Sequence, residues 1–258
     1  MERVTPPPLL SGETALLDRC FLTALAPLAP REVEAPRLMP VADLQRLQYF
    51  EQFPRQAVVT DAAGHPARDL GGGTHVLLPA ACYPIYLALA DRTLDGPVCA
   101  TAVARCTRSL GDDGEFPVRV FTQRKVVFFG TEAYVREQVG LARAAIAGLA
   151  ASCGLDACSV AAPPPASLRE AARALFAVDD ALVAGDDTLA QFNFHRQHYS
   201  RLCETRTGDG RLAFGACIGL LHESWLAALA RGTATMAPLL AASTSETSGG
   251  RDVSSPHL

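Results

Sequence analysis

The sequence is nearly devoid of lysine, and it lacks the features typical of several common protein classes. Of its 258 residues 23 are Lys or Arg, and Lys125 is the only lysine among them. Acidic residues outnumber basic ones, which gives a net charge of −4. Proteins that bind nucleic acid through its phosphates need an excess of positive charge, so we expect no nucleic-acid partner. No apolar run reaches the roughly 18–20 residues that span a bilayer, so we expect no membrane partner either.

Signals for secretion and for compact zinc motifs are also missing. Residues 1–8 lack the basic stretch and the apolar block of a secretory signal, which predicts a cytoplasmic protein. The eight cysteines form no C-x-x-C pair, and this argues against zinc ribbons and thioredoxin-like motifs. Most of them are expected to be buried thiols. Spacing leaves open the possibility that two distant cysteines bind a metal.

Composition divides the chain into three predicted regions. Residues 1–40 form a segment rich in Pro and Leu with a helix over 12–28, and residues 41–232 form the core. Residues 233–258, rich in Ser, Thr and Gly, are predicted to be a disordered tail. Within the core, strands and helices interleave without regular β-α-β alternation. This pattern favours an α+β fold, an antiparallel sheet flanked by helices.

Two extended runs, 97–107 and 117–129, flank a polar turn and predict an antiparallel hairpin. Because side chains alternate along a strand, the second run has two distinct faces. One face is predicted to carry Phe121, Gln123, Lys125 and Val127, and the other Thr122, Arg124, Val126 and Phe128.

The elements after the hairpin follow from capping and periodicity. Thr131 is expected to cap a helix over 132–153, and a second helix is predicted over 220–230. The run 189–199 is predicted to be extended throughout. In that case His195 and His198 face opposite sides of the strand, and at most one of them enters a pocket.

The hairpin resembles motif 2 of class II aminoacyl-tRNA synthetases. The resemblance rests on Cys106-Thr107-Arg108, Phe121-Thr122-Gln123-Arg124-Lys125 and Phe129-Gly130-Thr131, which line up without a gap. More narrowly, it is similar to the synthetase-like amino acid:[carrier protein] ligases, relatives of archaeal-type seryl-tRNA synthetases without a tRNA-binding domain. Four further stretches resemble that family in the same order: Tyr49-Phe50 to Phe53-Pro54, Pro79 to Pro84, Phe192 to Tyr199, and Ala216 to Glu223.

The resemblance implies ATP-dependent activation of a small amino acid and transfer of the aminoacyl group to the phosphopantetheine arm of a carrier protein. Cations, with Mg²⁺, stabilise charge that develops on the α-phosphate of ATP. Two Cys and one Glu hold a zinc ion that docks the substrate amine. The resemblance also implies a homodimer, or a heterodimer with a paralogue.

The resemblance assigns roles to particular residues of this chain. Arg108 matches the motif 2 arginine, Arg124 the second hairpin arginine, and Glu223 the acidic residue of motif 3. Cys82 and Cys217 match the zinc cysteines.

Other positions depart from the pattern. Ser224 replaces the motif 3 arginine, Leu221 a glycine, Leu110 an acid, and Lys125 the zinc-binding glutamate. Because an ammonium opposes Zn²⁺, zinc is expected to be lost, unless Lys125 swings away and Cys203, His198 or His222 completes the ligand set. Lys125 is then free to pair with nearby acids or to draw an anionic substrate group.

Two functions follow as hypotheses. The first is a degenerate relative with eroded ATP and zinc sites, which binds a carrier protein or an amino-acid derivative without efficient adenylation. The second is an active enzyme that activates or transfers an unusual acyl group. Its pocket would be lined by Arg108, Arg124, Lys125, Asn193, His195 and His198. Cys82 as a thioester-forming nucleophile is a further alternative.

Overall fold

A computed structural model describes residues 10, 12–53, 55–61, 74–110, 118–161 and 178–231. The helices in these ranges are α1 (Gly12–Leu25), α2 (Val41–Arg46), α3 (Tyr49–Gln52), α4 (Tyr83–Ala88), α5 (Glu132–Ser152), α6 (His198–Cys203) and α7 (His222–Arg231), with a 3-10 turn at Ala26–Leu28. The strands are β1 (Arg31–Glu32), β2 (Leu38–Pro40), β3 (Val59–Thr60), β4 (His75–Leu77), β5 (Thr93–Leu94), β6 (Val98–Ser109), β7 (Val118–Gly130), β8 (Cys158–Val160), β9 (Val178–Ala184), β10 (Asp187–Arg196), β11 (Arg206–Thr207) and β12 (Phe214–Leu221).

A seven-stranded sheet in the order β1-β6-β7-β12-β10-β9-β8 organises the molecule. All neighbouring strands in it are antiparallel except the short β1, which runs parallel to β6. Two small sheets, β11-β5 and β2-β4-β3, lie beside it. The predicted α+β fold, an antiparallel sheet flanked by helices, is confirmed.

The predicted hairpin is formed by β6 and β7, which pair from Val98↔Phe129 to Ser109↔Val118. Strand β12 pairs with the other edge of β7, so that β7 is a central strand. Side chains of a central strand are buried on both faces, and residues 121–130 are all buried. The predicted alternation is confirmed: Val126 and Phe128 lie in one apolar cluster, and Val127 and Phe129 lie in the other.

One face of the sheet packs against α1, α5 and α7. Leu17 and Phe21 of α1, Ile146 of α5 and Trp225 of α7 are fully buried in the cluster on this face. The Thr131 side chain accepts a hydrogen bond from the Tyr134 backbone N–H at 3.3 Å, so the predicted cap of α5 is confirmed. Residues 12–40 contain α1, β1 and β2, and α1 packs against α5 and α7.

The opposite face packs against the short helices α2, α3, α4 and α6. Their aromatic side chains form a layer in which Tyr86 stacks on Tyr199 at 4.1 Å between ring centroids, and Tyr83 meets Tyr49 edge to face at 5.4 Å. This layer covers Cys82, Cys217 and Val127 in the second apolar cluster. The sheet therefore presents one face to long helices and the other to a layer of phenols, thiols and histidines.

The run 189–199 differs from its prediction. Strand β10 ends at Arg196, which has a φ of 52°, and the chain then turns into α6 at His198. The pairing of β10 with β12 also shifts register between Phe194 and Arg196. The predicted tail over 233–258 lies outside the described residues. Within the part of the chain that the structure covers, none of the helices has the length and apolar character needed to cross a bilayer.

Candidate functional site on the aromatic face of the sheet

The structure brings Cys82 and Cys217 together. Cys82 immediately precedes α4, and Cys217 lies in the middle of β12. Both thiols are buried, and they are hydrogen-bonded to each other. Two positions 135 residues apart in sequence therefore meet at one point on the aromatic face.

Lys125 reaches the same point from β7. Its Nζ lies 4.0 Å from Cys217 Sγ, and its side chain is buried. Lys125 is paired directly with Gly219 of β12. A Cβ added at Gly219 would lie 2.5 Å from Lys125 Nζ, so the lysine occupies the space that any other residue at position 219 would fill.

Two side chains of β10 complete the surroundings of the Cys217 sulfur. His195 Nε2 lies 3.2 Å from Cys217 Sγ, and Asn193 Nδ2 lies 3.9 Å from it. The Tyr86 hydroxyl lies 3.1 Å from the same His195 nitrogen. The structure thus places Lys125, Asn193, His195, Cys82 and Cys217 in one group.

The two thiols have opposite pKa shifts. The hydrogen bond from Cys82 holds the pKa of Cys217 well below its usual value, and the charges of Lys125 and His195 add to this effect against the cost of burial. Burial raises the pKa of Cys82, and its hydrogen bond and electrostatic interaction with Cys217 raise it further. These directions favour Cys82 as the hydrogen-bond donor and Cys217 Sγ as the acceptor.

His198 lies on the same side of the sheet as His195, which corrects the expectation that the two face opposite sides. That expectation assumed an unbroken strand, whereas the turn at Arg196 brings His198 to the first residue of α6. There its Nε2 lies 2.9 Å from Gln52 Nε2. Burial lowers the pKa of His198 to about 4, with contributions from His195 and Arg201, so that it is neutral near pH 7.

Arg108 lies near the end of β6, six residues along the strand from Ala102, the residue paired with Lys125. Its Nε donates to the Pro79 carbonyl at 2.9 Å. The guanidiniums of Arg108 and Arg119 lie 5.1 Å and 5.4 Å from the centroid of the Phe121 ring. Two cations on one aromatic ring suit a planar or anionic ligand.

Arg124 does not join this group, which corrects the expectation that it lines one pocket with Lys125. Adjacent residues of a strand point to opposite faces, and Arg124 is fully buried on the helical face. There it donates to both carboxylate oxygens of Asp18, at 2.8 Å and 2.7 Å, and to Glu32 at 3.0 Å.

Two further residues lie on the helical face or at its edge. Glu223 is exposed in the first turn of α7, and its carboxylate accepts from the Thr122 backbone N–H at 2.7 Å. His222 Nε2 lies 3.0 Å from Asp18 Oδ1. The alternative in which His222 completes a zinc site is therefore wrong, because its ring is engaged on the other side of the sheet from Cys82 and Cys217.

The residues present do not fit a zinc ion. Two thiols and the His195 imidazole are adjacent, but the Lys125 ammonium lies 4.0 Å from Cys217 Sγ and opposes a divalent cation there. No group of three or more His, Cys, Asp or Glu side chains in the described ranges is arranged to hold a metal. The loss of zinc itself stays a prediction.

Sequence reasoning missed the phenols and the glycine around the site. The rings of Tyr86 and Tyr199 both contact His195. From the sequence, the two tyrosines were counted only as apolar residues of their own helix or strand. Gly219 lies in the interior of a strand, where glycine weakens packing and often marks a close approach. The sequence therefore shows that a residue could pack closely against Gly219. It does not show that this residue is Lys125.

Comparisons with known proteins identify the fold. Neither a family model nor a curated protein matches the sequence. The structure is similar to the M. kandleri seryl-tRNA synthetase solved with A. aeolicus tRNASec, at a TM-score of 0.72 and 17% identity over 98% of this chain and 60% of that one.

Two other synthetases are similar at lower scores. The cytoplasmic serine-tRNA ligase of Naegleria fowleri, solved with AMP, has a TM-score of 0.64 and 12% identity over 85% of this chain and 49% of its own. The Giardia lamblia prolyl-tRNA synthetase, solved with prolyl-adenylate, has a TM-score of 0.63 and 13% identity over 83% of this chain and 44% of its own. The chain thus spans 60% or less of the length of each of the three. Its fold is that of the catalytic core of class II aminoacyl-tRNA synthetases.

Proposed function

We propose that the chain is a divergent relative of the amino acid:[carrier protein] ligases that binds a carrier protein or an amino-acid derivative without efficient adenylation. The fold is of the amino-acid-activating type, but a fold by itself does not establish an activity. The proposal therefore depends on the residues of the site.

The position of the Lys125 ammonium supports the proposal most directly. It is buried 4.0 Å from Cys217 Sγ, where the resemblance implies a zinc-binding carboxylate. A positive charge at this point repels both Zn²⁺ and a protonated substrate amine. The amine-docking step implied by the resemblance has no counterpart in these residues.

The nucleotide side of the site is altered as well. Ser224 stands where the resemblance implies an arginine for the phosphates of ATP, and Leu221, the last residue of β12, stands where it implies a glycine. Loss of one donor to a transition-state oxyanion commonly costs about 10²–10³ in rate. The residues that remain are better suited to binding than to forming an adenylate with ATP and Mg²⁺.

An ATP–pyrophosphate exchange assay with Mg²⁺ and each common amino acid tests the loss of adenylation. We expect no exchange above that of the enzyme-free reaction, from protein whose folding is verified by a cooperative thermal transition. Exchange at a rate typical of aminoacyl-tRNA synthetases would refute the proposal.

The binding half of the proposal needs a separate measurement. Calorimetry with a carrier protein that bears the phosphopantetheine arm is expected to show binding, and the same carrier protein without the arm is the matched control. Equal binding of the two forms, or none, contradicts recognition of the arm. Sedimentation of the same samples tests the proposed homodimer, and co-purification with a paralogue tests the heterodimer.

Metal analysis tests the eroded zinc site. We expect wild-type protein to purify without zinc and Lys125→Glu to acquire it, because the substitution places a carboxylate beside two thiols. Stoichiometric zinc in the wild type would show that Lys125 does not displace the metal.

A second candidate function is retained adenylation of an unusual acid. The observation that favours it is the placement of Arg108 and Arg119 over Phe121, an arrangement suited to a nucleotide. AMP release dependent on one organic acid, and abolished by Arg108→Met, would favour this candidate over the first.

A further inference from the structure

Lys125 is a buried cation without a carboxylate partner in the described part of the chain. Its side chain is 6% exposed, and no described Asp or Glu forms an ion pair with it. Its hydrogen-bond partner is Cys217 Sγ at 4.0 Å. An ammonium carries three donors, so this single long contact leaves donors for a ligand.

Small residues on both neighbouring strands make room for this side chain. Lys125 is paired with Ala102 on β6 and with Gly219 on β12. A Cβ at Gly219 would lie 3.1 Å from Lys125 Cε and 2.5 Å from Nζ, so the lysine stem crosses β12 directly above the glycine. The absence of a side chain at Gly219 therefore gives the ammonium its space, and no described carboxylate holds it there.

Beyond Gly219 the next strand carries two neutral amides. Gln191 is paired with Gly219, and Asn193 is paired with Cys217. Directly paired residues of neighbouring strands share a face of the sheet, so Gln191 and Asn193 lie on the face of Lys125, and both are half-buried. Their side-chain N–H groups are donors of the kind that bind carboxylate oxygens.

We propose that Lys125 is the specificity-determining residue of an anion subsite above Gly219, which receives the second carboxylate of a short dicarboxylic acid. The first carboxyl of that acid is the one that the second candidate function would activate, and to this extent the inference rests on that candidate. The ammonium pairs with the second carboxylate, and the amides of Gln191 and Asn193 donate to it. An ω-amino acid of the same length brings an ammonium to Lys125 and is repelled.

The test compares succinate with 4-aminobutyrate, which share a chain length and differ in the charge of one end. Calorimetry of the full chain at neutral pH, without ATP or carrier protein, is expected to show succinate bound at least about tenfold more tightly. Lys125→Met abolishes this preference, whereas Lys125→Arg retains part of it. Gly219→Ala weakens succinate binding without removing the charge, because the new Cβ displaces the ammonium.

Arg105→Met is the matched control. Arg105 is exposed on β6, so this variant loses the same unit of charge away from the subsite and keeps the wild-type preference. The proposal is overturned if succinate does not bind, if both ligands bind equally, or if Lys125→Met keeps the preference. Binding of inorganic phosphate as tight as that of succinate would also overturn it, since it would reveal unselective anion attraction. None of these measurements uses ATP–pyrophosphate exchange or binding of a carrier protein. The anion subsite and the proposed function are therefore tested independently.

Discussion

Two adjacent residues of β7 carry buried positive charges in opposite circumstances. Arg124 faces the helices and is 0% exposed, and its guanidinium donates to Asp18, Glu32 and the Thr101 hydroxyl. Lys125 faces the aromatic layer and is 6% exposed, and it forms no ion pair with any described carboxylate. One strand therefore holds two neighbouring cations. Arg124 donates to two carboxylates and a hydroxyl, whereas the hydrogen-bond partner of Lys125 is the Cys217 sulfur.

The comparison distinguishes a charge that stabilises the fold, that of Arg124, from a charge that is available to a ligand, that of Lys125. Asp18 belongs to α1, so the bidentate Arg124 pair fastens the N-terminal helix to the central strand. Motif resemblance marked Arg124 as catalytic, but its donors are already committed within the fold. Lys125 departs from the motif, and its position makes it the better candidate for ligand recognition.

The largest expected effect comes from removing the structural charge. Arg124→Met leaves Asp18 buried without its main partner, which we expect to lower the free energy of unfolding by about 3–5 kcal/mol. Urea denaturation of wild type and variant measures this loss. A loss of less than about 1 kcal/mol would show that the pair does not secure α1.

An intermediate effect is expected from acid. Burial raises the pKa of Asp18, but hydrogen bonds from Arg124 and His222 outweigh it, so that the net shift is downward. The stabilisation from this carboxylate is complete above its unfolded value of 3.8 and is lost as the pH falls below it.

Denaturation from pH 5 to pH 2 measures this dependence. Asp18→Asn, which has no carboxyl group at this position to protonate, is expected to lose less stability than wild type over the same interval. If the free energy of unfolding falls equally in the two proteins between pH 5 and pH 2, the acid sensitivity belongs to other carboxylates.

The smallest effect is expected from removing the available charge. Lys125→Met replaces a buried ammonium by an apolar side chain of similar length, so we expect stability to be unchanged or raised by about 1 kcal/mol. Urea denaturation beside Arg124→Met gives the direct comparison. If Lys125→Met lowers the free energy of unfolding as much as Arg124→Met does, Lys125 is a structural residue, and the proposed difference between the two cations is wrong.

Local features were predictable where neighbouring residues decide the outcome. The alternation along β7 and the cap at Thr131 follow from backbone geometry within a few residues, and both were predicted correctly. The proximity of Cys82 and Cys217 followed only from the resemblance, because no local rule joins residues so far apart. The orientation of His198 was missed, since a single positive φ at Arg196 ends the strand early.

The sequence by itself determined that the chain forms an antiparallel hairpin, that Arg124 and Lys125 point to opposite faces, and that the only lysine lies in a strand. The tertiary structure alone decided which of these two charges is satisfied. Asp18 lies 106 residues from Arg124, and Gly219 lies on a strand that enters the sheet much later. The partners of a buried charge are chosen by packing between distant segments, and side-chain alternation cannot specify them.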